Sequence, residues 1–163
     1  MRKIFIGISF VASLLIMACN DESKTQESPR DTTSQTKTTA SNLSTSVELT
    51  ANDQLKFDKI ELHVKANETV KLTLKNIGTM PKESMGHNFV LLKDGTDLAS
   101  FAAEAVGAPE NVPQNNAAVI THTKILGPGE SETIEFKVPA GSYTYICSFP
   151  GHYLTMTGVL IAE

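Results

Sequence analysis

Tryptophan is absent from this 163-residue chain, and cysteine occurs only twice, at Cys19 and Cys147. Two cysteines permit at most one disulfide, so a framework of several disulfides is excluded. A chain of this length needs no such staple, because a domain of about 100–150 residues buries enough surface to hold its own core. Clusters of Lys or Arg are also missing, since 14 basic residues are scattered among 18 acidic ones for a formal net charge of −4. Nothing in that balance provides the positive face that nucleic acid requires. No internal repeat or coiled-coil pattern appears, which leaves one globular domain with something appended.

The appended part is at the N-terminus. Met1-Arg-Lys3 followed by the apolar run Ile4–Met17 has the form of an export signal. The run is short for a bilayer span of about 20 residues, and it stops at Ala18-Cys19. Ile16-Met-Ala-Cys19 resembles a bacterial lipobox, with Ile where Leu is more usual. The expectation is a lipoprotein signal peptide over 1–18 and acylation of Cys19, whose several acyl chains would hold the protein stably at a membrane. Without Arg2 and Lys3 the balance becomes 12 basic to 18 acidic residues, about −6. Residues 19–45 are mostly Ser, Thr, Gln, Lys and acidic residues, too polar to repay the entropy of ordering. They read as a disordered tether averaging about 25–30 Å end to end, with the folded domain over 46–163.

From Val47 the pattern becomes one of short strands. Val47–Ala51 alternates, Ile60–Lys65 places Ile60, Leu62 and Val64 on one face, and Thr69–Lys75 places Val70, Leu72 and Leu74 inward. Phe89–Leu92 is continuously apolar, and Thr133–Val138, Ser142–Ile146 and Gly158–Ile161 complete the set. His122, between two threonines, falls in a further surface strand. Strands this short and frequent predict an all-β sandwich or barrel. One interruption, Asp97–Val106, has apolar residues at helical spacing with Asp97 placed to cap its start and Gly107-Ala-Pro109 to end it.

Chemistry is concentrated near the C-terminus. Tyr145-Ile-Cys-Ser-Phe-Pro-Gly-His-Tyr-Leu-Thr-Met156 holds a thiol, an imidazole and a thioether at Cys-x4-His-x3-Met spacing, and Met85-Gly-His-Asn-Phe89 adds His87. One Cys and two His in a plane, with a weak Met beyond it, form the donor set of a blue-copper electron-transfer site. Taken alone, Cys147 also fits a buried core thiol, or a nucleophile with His152 as its base. The nucleophile reading leaves His87 and Met156 idle. Zinc gains little from Met. Gly86 lets the backbone come close to a bound ion. His63 and His122 have no partner histidine at close spacing, so a second, catalytic metal is not expected, and the chain does not read as an enzyme.

Across 46–163 these motifs resemble the azurins, small blue-copper proteins of the cupredoxin fold. The resemblance runs through Asn52-Asp-Gln-Leu-Lys-Phe57, Met85-Gly-His-Asn88, Thr121-His-Thr-Lys-Ile-Leu-Gly-Pro-Gly-Glu130 and Cys147-Ser-Phe-Pro-Gly-His152. It implies a Greek-key sandwich of about eight strands with one short helical insertion, holding one type 1 copper. His87, Cys147 and His152 would be equatorial ligands, Met156 the long axial one, and the Gly86 carbonyl a weak fifth contact. Asn88 would tie the two ligand segments together beside the thiolate. Met80, Met85, Phe149, Pro150 and Leu154 would form an apolar docking patch around His152 for redox proteins such as c-type cytochromes or oxidoreductases. The implied setting is the bacterial cell envelope, facing the periplasm or the outer surface. The alternative is an extracytoplasmic copper-binding or copper-delivery module. Three departures stand out: no cysteine near the start of the domain for the usual disulfide, Phe89 in place of a core tryptophan, and Asn76 where some azurins carry a titrating histidine.

Overall fold

The computed structural model describes residues 43–163; the signal peptide, Cys19 and nearly all of the expected tether lie outside them. Nine strands form two sheets: β1 (Ser46–Asn52), β2 (Lys56–Phe57), β3 (Glu61–Val64), β4 (Val70–Asn76), β5 (Val90–Leu92), β6 (Val119–His122), β7 (Ser131–Phe136), β8 (Gly141–Ile146) and β9 (Thr157–Ala162). One sheet runs β2-β1-β4-β7 and the other β3-β9-β8-β5-β6. Pairing is antiparallel except for β1 with β4 and β3 with β9. This is an all-β sandwich with one short helical insertion, the cupredoxin architecture.

Alternation drives the packing. In β4 the inward set Val70, Leu72 and Leu74 is fully buried, and in β1 Val47, Leu49 and Ala51 face the same interior. Each fully buried Leu contributes about 1.5–3 kcal/mol. Phe89, Leu91, Tyr145 and Leu160 meet them from the second sheet. Phe89 fills the position where the resemblance led one to look for an indole, and its ring stacks on Tyr145 at a centroid distance of 5.3 Å. The Tyr145 hydroxyl donates to the Lys59 carbonyl at 2.7 Å. Burial pushes its pKa up.

Helix α2 (Leu98–Ala105) lies where its spacing predicts, with Asp97 Oδ1 accepting from the Ser100 N–H at 2.7 Å. Its buried residues Phe101 and Ala105 pack on the outward face of the second sheet, against Val90, Leu92 and Ile146. Strand β5 is therefore covered on both sides, which explains its unbroken apolar run. Ile60 departs from expectation. It is 72 % exposed, because β3 begins only at Glu61 and the inward alternation starts at Leu62. The short α1 (Lys82–Met85), β2 and two single-turn 3-10 helices were not anticipated.

Gly158 has a steric reason. It sits opposite Tyr145 in the β8–β9 ladder, and a Cβ there would lie 2.2 Å from the Tyr145 ring. Gly158→Ala is expected to cost about 1–3 kcal/mol in urea denaturation, and adding Tyr145→Leu should cost less than the two single changes summed. Strict additivity would contradict the clash.

Candidate metal centre

Strand pairing brings the donors together. Val90 of β5 is opposite Ile146 of β8, so His87, three residues before Val90, and Cys147, directly after Ile146, emerge at the same end of the sheet. The chain between β8 and β9 then turns at Gly151, at φ 81°, into a single 3-10 turn (His152–Leu154) that returns His152 over Cys147. Such a φ is readily taken only by glycine. Met156 closes the loop with its N–H bonded to the His152 carbonyl and its carbonyl bonded to the Cys147 N–H.

His87 Nδ1 lies 3.9 Å and His152 Nδ1 3.5 Å from Cys147 Sγ, and the donor atoms of the three residues all fall within 4.8 Å of one another. Metal–nitrogen and metal–sulfur bonds of about 2.0–2.3 Å, as for zinc, would separate trigonal donors by about 3.5–4 Å. The spacing thus fits one ion. His87, Cys147 and Met156 are fully buried, and His152 is 5 % exposed.

Burial sets the protonation states. It pushes the Cys147 thiol up to about 11, opposed by the backbone N–H groups of Asn88 and Phe149. It pushes His152 down to about 4, helped by the neighbouring His87. His87 is also lowered by burial, against the opposing effects of the Asn52 carbonyl and the Asp53 charge. That carbonyl does not complete a well-formed hydrogen bond, for His87 Nε2 is buried without a partner. Burial thus favours the neutral form of both imidazoles, the form that metal ligation requires, and the thiol would surrender its proton to a cation. A thiolate, two imidazoles and a nearby thioether form a soft donor set that suits copper in both oxidation states. The His87–Cys147–His152 cluster matches the geometry of a type 1 copper electron-transfer site.

A family model for copper binding proteins of the plastocyanin/azurin family matches residues 43–163. The chain belongs to that family. Azurin-1 of Alcaligenes xylosoxydans xylosoxydans is 42 % identical over 123 residues, covering 71 % of this chain and 95 % of the relative. Outer membrane protein H.8 of Neisseria gonorrhoeae is 38 % identical over 125 residues, 73 % of this chain and 67 % of that one. Among solved structures, reduced auracyanin from the photosynthetic bacterium Roseiflexus castenholzii is similar with a TM-score of 0.68 and 37 % identity, covering 74 % of this chain and 98 % of its own. Members of this family are electron carriers rather than enzymes.

Of the remaining expected residues, Gly86, Asn88 and Phe149 have contacts beside the cluster. Gly86 is buried beside His87, and a Cβ on it would lie 2.4 Å from Ile125 Cγ2 and 2.7 Å from the Lys82 carbonyl. Crowding is thus one reason for a glycine here. Asn88 Oδ1 accepts from the Ser148 N–H at 2.8 Å, and Nδ2 donates to Ser148 Oγ at 2.9 Å. Phe149 lies against His152 with ring centroids 4.7 Å apart. Met80 (41 %) and Leu154 (72 %) are exposed, as is Pro150, while Met85 is half-buried. His63 and His122 lie elsewhere, His63 between Glu61 and Glu163 carboxylates and His122 on the Thr123 carbonyl. Sequence reasoning missed Ser148, Thr123 and Leu126, which hold Asn88, the Phe89 N–H and the His87 backbone. Nothing in their spacing marks them.

The buried His152 makes the metal-free fold acid-sensitive. Its folded pKa lies below the unfolded value near 6.5, so the unfolded chain binds the extra proton. The contribution is complete above about pH 6.5 and declines as pH falls towards 4, by at most about 3 kcal/mol. Metal-free protein should melt lower at pH 4.5 than at pH 7, and His152→Gln should lessen that difference. An undiminished difference in the variant would contradict the assignment.

Proposed function

We propose that this chain is a lipid-tethered electron carrier of the cell envelope, working between redox proteins through one type 1 copper. The observation that carries the reading is the convergence of a buried thiol with two buried imidazoles at one end of the sheet. Copper held by His87, Cys147 and His152 would supply a one-electron change between Cu(II) and Cu(I). In this reading Met156 is the weak axial donor and the Gly86 carbonyl a distant fifth contact. Asn88 steadies the thiolate, since its own N–H and that of Phe149 are the groups that favour the charged sulfur.

His152 is the electron port, because it alone among the three clustered donors retains surface exposure. Met80, Met85, Phe149, Pro150 and Leu154 supply the apolar surface around it, suited to the small, weak and short-lived contacts of electron transfer. Partners such as c-type cytochromes fit that chemistry. Burial of every clustered donor to 5 % exposure or less disfavours copper delivery, which needs a site that opens readily.

The cellular setting comes from the N-terminus. The proposed organisation is a signal peptide over 1–18, acylation at Cys19, a tether to residue 45 and the copper domain over 46–163. The Neisseria relative is named an outer membrane protein, which is consistent with an envelope location.

Two measurements test this. Copper-loaded protein should absorb intensely in the visible, and Cys147→Ser should abolish the band, because a hydroxyl stays protonated and is a poor soft ligand. A band that survives the substitution would end the electron-transfer reading. Cys19→Ser should release the protein from the membrane fraction or leave it unprocessed. Mass spectrometry finding an unmodified mature Cys19 in the wild type would refute the anchor.

A further inference from the structure

Behind the thiolate, three segments distant in the chain are laced together by a turn that carries no ligand. The turn is Pro109–Asn111, and two consecutive residues in it adopt left-handed backbone, Glu110 at φ 53° and Asn111 at φ 52°. Neither is glycine; asparagine adopts this conformation fairly readily, but a glutamate does so at a cost that its surroundings must offset. The surroundings are identifiable. The Glu110 carbonyl accepts from Asn88 Nδ2 at 2.9 Å, and the Asn111 carbonyl accepts from Ser148 Oγ at 2.7 Å. With the two bonds between Asn88 and Ser148, this closes a ring through the residues that directly follow the ligands His87 and Cys147.

The Glu110 side chain reaches a fourth segment. Its Oε2 accepts from the Ile125 N–H at 2.5 Å. Ile125 Cγ2 fills the space that a Cβ on Gly86 would need, and the adjacent Leu126 exchanges both backbone hydrogen bonds with His87, at 3.1 and 2.7 Å. One exposed residue therefore touches both supports of the His87 segment: its carbonyl from the Asn88 side, its carboxylate from the Ile125 side. A surface glutamate in a strained turn has no evident reason to be so placed if it serves only solubility.

We propose that Glu110 is a positioning residue for the metal site, holding the His87–Asn88 segment against Cys147–Ser148 by its carbonyl and its carboxylate together. Asn88 is bonded through its side chain to Ser148, the residue after Cys147, and its backbone N–H favours the charged sulfur, so the position of this segment bears on how well the thiolate is stabilised. A looser thiolate keeps more electron density and favours the more highly charged metal ion, which lowers the reduction potential. The spectroscopic consequences rest on the copper reading above; the structural ones do not.

The test uses the full-length chain with Glu110→Ala, Glu110→Gly and Glu110→Gln. In metal-free protein, amide hydrogen exchange at Ile125 and Ser148 should quicken about tenfold in the alanine variant. The glycine variant, which relieves the backbone strain yet also lacks the carboxylate, should remain faster than wild type. Glutamine keeps an acceptor for the Ile125 N–H and should restore slow exchange. After copper loading, the alanine and glycine variants should show a lower potential and a shifted visible band, with glutamine near wild type. The proposal is overturned if Glu110→Ala lowers only the melting temperature and leaves Ser148 exchange and the potential unchanged. It is equally overturned if glycine restores wild-type behaviour, since the carboxylate would then be irrelevant. If wild-type protein fails to colour with copper, the copper reading falls while the exchange experiment still decides the role of Glu110.

Discussion

The antiparallel pairing of β5 with β8 is the constraint on which the metal centre depends. Val90, Leu91 and Leu92 stand opposite Ile146, Tyr145 and Thr144, and all three β5 residues are buried. Leu91 packs between the sheets, whereas Val90 and Leu92 pack under helix α2. A slip of one residue would exchange those faces and misfit both cores at once. Because His87 and Cys147 are separated from this ladder by only a few residues, its register also fixes the distance between them. The hydrogen bonds of His87 with Leu126 brace the same segment from the far side. The donors are positioned by the hydrophobic core, not by one another.

That positioning opposes the preferences of the isolated side chains. Two imidazoles and a thiol are held together out of water, each pushed towards its neutral form, and His87 Nε2 forgoes a well-formed hydrogen bond. An unpaired buried polar atom costs about 1–3 kcal/mol, an expense that packing elsewhere offsets. What results is a set of neutral donors already spaced for one ion. An ion entering such a site gains its bonds with little rearrangement, and a change in the ion's charge likewise finds the donors fixed. The burial that makes the metal-free fold acid-sensitive also holds a soft donor set in fixed positions.

Much of this was legible in the residue pattern, and the boundary of legibility has a physical explanation. Period-two alternation identified β1, β3 and β4 because each has one face in the core and one in solvent. Asp97 was readable as a cap because it bonds within its own turn, to Ser100. The His–Cys–His cluster was readable because those side chains carry their chemistry with them. Ile60 was misplaced because alternation alone does not say where a ladder stops. Beyond that, legibility ended wherever backbone groups from remote segments meet. Glu110 and Asn111 contribute carbonyls, which every residue has, so their part in the Asn88–Ser148 ring left no trace in composition or spacing. Gly86 was singled out as a close approach to an ion; that Ile125 and the Lys82 backbone also leave no room for a Cβ there was not legible, because Ile125 lies in another segment and α1 was not anticipated.

Burial and access make contradictory demands on an electron-transfer site, and the β8–β9 loop reconciles them. A buried site excludes water and fixes its donors, but electron transfer requires that some ligand approach the surface. Gly151 allows the chain to reverse so that His152 presents Nδ1 to Cys147 while keeping 5 % exposure, against none for His87 and Cys147. Leu154, on the same turn, is 72 % exposed, and Met80 reaches the surface at 41 %. Contiguous apolar surface is what a partner contact would use, whereas single exposed apolar residues such as Ile60 need no such reason. On the proposed reading the position of Leu154 and Met80 follows from function: an apolar contact desolvates the His152 edge without demanding matched charges, and it parts quickly once the electron has moved.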